Sequence, residues 1–195
     1  MKTGKQQSQK IAILAIFTAI TVVLQFLSYF VKIGTFNLSL VLIPIVLAGV
    51  LYGPRYGAFL GAAFGIVTVI GCITAFDAGG NILYNASPLL TIAICMVKAI
   101  ACGTAAGLVG KALYKVNPLF AVFVAAITAP VVNTGIFIVM ALLFFKDILY
   151  TWAGGNNLLN FVIFGLIGVN FLIELGLNLI FSPSIFRVIK AVRKL

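Results

Sequence analysis

Histidine is absent from this 195-residue chain, and acids are nearly so: Asp77, Asp147 and Glu174 are its only carboxylates. Without imidazole there is no histidine-based acid–base catalysis and no histidine metal site. Three scattered acids form neither a catalytic pair nor a carboxylate metal cluster. Cysteine is also scarce; Cys72, Cys95 and Cys102 lack metal-ligand spacing and read as small buried residues. A phosphate loop fails as well. Around Gly110 and Lys111, Ala105 stands where the first glycine belongs and Ala112 where Ser or Thr belongs. The expectation is a chain that binds no metal or cofactor, hydrolyses no ATP and is not an enzyme.

What is present is apolar. Hydrophobic residues make up 63% and charged ones 8%, far from soluble usage. Six apolar stretches follow one another, about 10–31, 38–52, 57–76, 88–113, 118–145 and 158–181. A helical span needs about 20 residues, and only the second stretch is short. The runs lack the alternation of barrel strands. An all-α membrane protein with six transmembrane helices in one domain, 1–195, is expected. The first stretch is longer than a signal-peptide core and no small-x-small site follows it, so a retained helix is expected.

Basic residues are sorted along the chain. If the stretches cross alternately, one side receives Lys2, Lys5, Lys10, Arg55, Lys111, Lys115, Arg187, Lys190, Arg193 and Lys194. The other receives Lys32 and Lys146. By the positive-inside rule both termini are cytoplasmic. The net charge of +10, spread over inner turns and ends, suits anionic lipid or an acidic partner rather than nucleic acid.

The connections are unequal. Inner turns 53–56 and 114–117 are short and stopped by proline. Outer segments 77–87 and 146–157 carry Asp77, Asn81, Asn85, Asp147, Trp152, Asn156 and Asn157, a composition that suits lids over a ligand as well as plain interfacial loops. Gly53, Gly57, Gly61 and Gly65 recur every four residues, as do Gly103 and Gly107. Such rows let helices touch backbone to backbone. Ala12, Ala15 and Ala19 form a small-residue face on the first helix, fit either to close the bundle or to dock another membrane protein.

The thirteenth basic residue, Lys98, sits inside the fourth stretch, about 15 Å from its outer end at 1.5 Å per residue. A lysine at that depth is costly and marks a functional site unless it only pairs internally. Glu174 lies about 24 Å down the sixth stretch by the same rise. Asn133, Thr134 and Asn170 fall at intermediate depth, and Pro130 frees a carbonyl that can line a cavity. Asn178 reads as a helix–helix hydrogen bond. A lysine, amides and a hydroxyl under polar outer segments suit a small polar ligand, above all an anion.

Several segments have a family likeness: the basic N-terminus, Leu51-Tyr-Gly-Pro-Arg-Tyr-Gly-Ala-Phe-Leu-Gly61, and Pro130-Val-Val-Asn-Thr-Gly-Ile-Phe137. The whole chain resembles the S components of energy-coupling factor (ECF) transporters of bacterial cell membranes. That resemblance implies vitamin capture from outside by outer loops and later helices. It also implies delivery through a transmembrane coupling protein (T component) driven by two ATPase subunits, which alone use ATP. The family docks through an AxxxA motif on helix 1, matched here by Ala15-Ile-Phe-Thr-Ala19. Within the family the chain looks most like the pantothenate type, with folate, pyridoxamine or a thiamine precursor as other substrates. Substrate contacts are expected at Lys98, Asn133, Thr134, Asn170, Glu174, Asn81, Asn85 and Trp152, and coupling at Ala12, Ala15 and Ala19. The competing reading is a stand-alone secondary transporter that uses Lys98 and Glu174 as a proton-sensitive pair.

Overall fold

A computed structural model describes residues 2–30, 32–33, 36–37, 40–155, 157–162, 164 and 169–194. Within these, the side chains of 2–10, 32–33, 36–37, 159, 169–170 and 193–194 are outside the description. In chain order the elements are α1 (Lys2–Ser28), β1 (Lys32–Ile33), β2 (Phe36–Asn37), α2 (Leu42–Tyr52), α3 (Pro54–Ile73), α4 (Ala78–Ala86), α5 (Pro88–Leu113), α6 (Pro118–Phe144), α7 (Lys146–Ala153), α8 (Leu158–Asn160) and α9 (Val169–Lys194). The two strands pair antiparallel, Lys32 opposite Asn37, as a minimal hairpin between α1 and α2. That hairpin is the one departure from all-α structure among the described residues.

Among the described residues, five helices are long and apolar enough to cross a membrane: within α1, α3, α5, α6 and α9. The expected second span is the short helix α2, whose 11 residues cover about 16 Å, roughly half a bilayer core. It is apolar all round, and Leu42, Ile45, Val46 and Ala48 are fully buried, as such a helix requires. Within the sixth expected span, α8 and α9 lie on either side of residues outside the description, and the part of α9 apolar enough to cross a membrane is Phe171–Val192.

Proline and side-chain caps start the helices where the apolar runs begin. Pro54, Pro88 and Pro118 each open a helix, where a missing N–H costs nothing. Asn117 Oδ1 accepts from the Leu119 and Phe120 amides at 3.0 and 3.1 Å. Between α2 and α3 the chain reverses at Gly53, whose φ of 100° favours glycine. The expected outer loops are helical: 77–87 becomes α4, capped by Asp77 Oδ1 accepting from the Gly80 amide at 3.0 Å, and 146–157 becomes α7 plus a turn.

The glycine rows lie on one seam. α3 and α5 run antiparallel with backbones touching. A Cβ on Gly57 would land on the Gly103 carbonyl oxygen, and one on Gly61 on the Ala99 carbonyl oxygen. Gly49 of α2 faces Gly107 in the same way. The rows therefore close the bundle internally. Because lipid is as apolar as the side chains, this close packing holds helices together where hydrophobic burial does not. α2 runs parallel to α5, with Ile45 beside Gly103 and Gly49 beside Gly107, so it begins near the level of Ile100. It fills only the half of the bundle that carries the basic turns. Leu60, Phe64, Ala99, Val122, Ala126, Ile185 and Ile189 pack around it as one core.

Replacing Gly57 by alanine should force α3 and α5 apart, at a cost of about 1–3 kcal/mol or more. Gly135→Ala, with nothing within 4 Å of the new Cβ, should be neutral or mildly stabilising. Thermal unfolding of both variants in detergent checks this; equal melting temperatures would contradict the seam.

Candidate functional site

Above the level where α2 begins, the bundle is hollow. A cavity of about 90 Å³ is bounded by five helices and capped by α4. Phe64, a member of the packed core, forms its floor. α3 contributes Thr68 and Cys72; α5 contributes Thr91, Ile94, Cys95 and Lys98; α6 contributes Asn133, Thr134 and Phe137. Gln25 enters from α1, Phe171 and Glu174 from α9, and Asp77, Gly80 and Leu83 from the α4 region. At the capped end Leu83, Ile94 and Phe145 form a small apolar cluster with Ile148 and Trp152 against it.

Four of the expected site residues meet here: Lys98, Asn133, Thr134 and Glu174. Lys98 is half-buried, and its Nζ lies 5.0 Å from the Phe137 ring centroid. A ring face attracts a cation but does not neutralise it. Glu174 is 5% exposed. It stands on α9 and lines the same cavity as Lys98.

Other expectations are redirected. Asn81 does not line the cavity: its Nδ2 donates to the Cys72 carbonyl at 2.7 Å, tying α4 to the end of α3. Asn85 is exposed on α4 and donates to Asn81 Oδ1 at 3.1 Å. Trp152 packs in the apolar clusters under α7 instead of facing the cavity. Ala126, whose carbonyl Pro130 would release, lies in the packed core below. Asn178 Nδ2 donates to the Glu174 carbonyl at 2.8 Å, a bond within α9 rather than between helices. Asn170 belongs to α9 with its side chain outside the description, and Asn156 lies outside the described residues.

The most informative atoms are those left over. Gln25 Oε1 and Asn133 Oδ1 are buried without a hydrogen-bond partner, on residues 3% and 6% exposed. A buried amide acceptor without a donor costs roughly 1–3 kcal/mol. Thr68 and Thr91 spend their hydroxyl protons on the Phe64 and Ser87 carbonyls, at 2.9 and 3.0 Å, and so also offer only acceptor lone pairs. The lining therefore presents unpartnered acceptors beside the Lys98 ammonium. Gln25 was missing from the sequence expectations, although a single glutamine in the apolar part of α1 was the available signal. Cys72 and Cys95, expected to be small buried residues, are buried, and their sulfurs lie 4.0 Å apart across the α3–α5 seam on the cavity wall.

A family sequence profile described as "ECF transporter, substrate-specific component" matches residues 9–186. The chain belongs to that family. No curated protein matches it. Membership makes this ECF S component a substrate-binding transport subunit, not an enzyme, and implies a T component and ATPases as partners. It agrees with a helical membrane protein.

If the orphaned acceptors exist for a ligand, removing one should relieve the empty protein. Asn133→Leu should keep or raise the melting temperature of the ligand-free S component, by up to a few degrees for about 1 kcal/mol. Loss of stability without ligand would assign Asn133 to the fold instead.

Proposed function

We propose that this S component captures a small vitamin acid bearing hydroxyl or amide donors, pantothenate being the best fit, and passes it to its coupling protein. The observation that carries this is the juxtaposition of Lys98 with the unpartnered acceptors of Gln25 and Asn133 in one cavity. Lys98 supplies a cation for a carboxylate. Gln25 and Asn133 call for ligand O–H or N–H groups. Pantothenate has a carboxylate, two hydroxyls and an amide in one short chain. At about 10–15 Å³ per water-sized position the cavity holds fewer than ten such positions. Folate, with its two ring systems, requires the cavity to open.

One observation favours a second substrate class. Asp77 and Glu174 also line the cavity, and two carboxylates beside one lysine suit an amine such as pyridoxamine or a thiamine precursor. Against it, Asp77 already caps α4 through Oδ1.

The orientation that fits the charge sorting puts the termini and basic turns in the cytoplasm of a bacterial cell and α4 outside. Coupling fits helix 1. Ala12, Ala15 and Ala19 are exposed, so they do not close the bundle. Ala15 and Ala19 line a shallow apolar groove with Leu14, Thr18, Val22 and Phe59, open to a second membrane protein. ATP would be used by the partner ATPases alone.

Lys98→Ala should weaken pantothenate binding by about a hundredfold, the scale of a lost charge-assisted contact of about 3 kcal/mol. Lys98→Arg should lose much less, as measured by calorimetry on purified protein. Equal affinity in both variants would remove Lys98 from the site, and stronger binding of an amine by Lys98→Ala would favour the second class. Ala15→Leu with Ala19→Leu should abolish uptake by the complete transporter while leaving ligand affinity unchanged. Lost affinity would return that face to bundle packing.

A further inference from the structure

At the opposite end of the bundle from the ligand cavity lies a second concavity, of about 600 Å³, that the transport reading does not use. It forms where the C-terminal ends of α2 and α5 meet the start of α3. Arg55, Lys111 and Lys115 line it together with Tyr52, Tyr56 and Tyr114. All three cations are exposed there. The chain has three carboxylates in all, and none is at this end. Asp77 and Glu174 line the other cavity, and Asp147 opens α7. Along α3, Thr68 of the ligand cavity is 14 residues from Pro54, about 21 Å. Among the described residues, no side-chain carboxylate lines the hollow to balance this trio.

We infer that this concavity binds the phosphate of an anionic glycerophospholipid headgroup. Two features select that ligand over a free anion or an acidic protein. The cations stand at the ends of membrane-competent helices, at the depth where headgroup phosphates lie. Tyr52 and Tyr56, with ring centroids 5.3 Å apart, give the hollow an apolar wall with polar tips, the make-up of an interfacial belt. A headgroup seated here would hold the α2–α3 and α5–α6 turns together, at the base of the glycine seam.

Native mass spectrometry of the purified full chain tests this, with phosphatidylglycerol, phosphatidylcholine and inorganic phosphate as probes. Expected is preferential retention of phosphatidylglycerol, about a hundredfold weaker in Arg55→Gln/Lys111→Gln/Lys115→Gln, at roughly fivefold per charge. Lys190→Gln on α9 should change nothing. Charge-preserving Lys111→Arg/Lys115→Arg should retain the lipid, and if the triple variant does not fold, Arg55→Gln alone should still weaken retention severalfold. Equal retention of phosphatidylcholine, or undiminished phosphatidylglycerol in the folded charge-removing variants, would overturn the site. Inorganic phosphate binding with no lipid preference would overturn the lipid as its source. Vitamin binding by the same variants, expected unchanged, separates this result from any failure of the transport reading.

Discussion

The backbone contact between α3 and α5 is the constraint on which the rest of the structure depends. Gly57 against Gly103 and Gly61 against Ala99 leave no room for a side chain between the helices. Beyond Gly65 the seam changes character. There Thr68 and Cys72 on α3 and Thr91, Ile94 and Cys95 on α5 line the cavity, with the Cys72 and Cys95 sulfurs 4.0 Å apart. A closed seam at one end and an open one at the other put a cavity in half of the bundle only. α2 completes the division, because it is short enough to fill the closed half and stop near the level of Ile100.

That division explains how a lysine can stand inside a membrane bundle. Lys98 is one residue above Ala99, which is fully buried in the core, and it faces the hollow half rather than lipid. The hollow is lined by acceptors that lack donors, an arrangement that costs stability when empty and is recovered when a ligand supplies them. A binding subunit with no catalytic chemistry of its own needs little else. The closed half is rigid and charged at its end, and the exposed alanine face of α1 remains available to a partner.

Much of this was legible in the sequence, for physical reasons. Lys98 stood out because no span can carry it without cost. The glycine rows were visible because a period of four residues keeps them on one helix face. The residues that sequence misplaced are those whose role depends on where a helix starts or bends. Asn81 and Asn85 looked like ligand groups because their segment read as a loop, whereas as helix α4 it uses one amide to tie itself to α3 and leaves the other exposed. Gln25 was overlooked because one amide in an apolar helix has no periodicity to reveal it. Its significance comes from Asn133 across the cavity, a tertiary fact.

The most direct test of the central claim uses the chain alone, without T component or ATPases, in sealed vesicles with radiolabelled pantothenate. The account predicts saturation at one ligand per chain, unchanged by an imposed proton or sodium gradient. Gradient-driven accumulation beyond that stoichiometry would contradict it and establish a self-sufficient transporter.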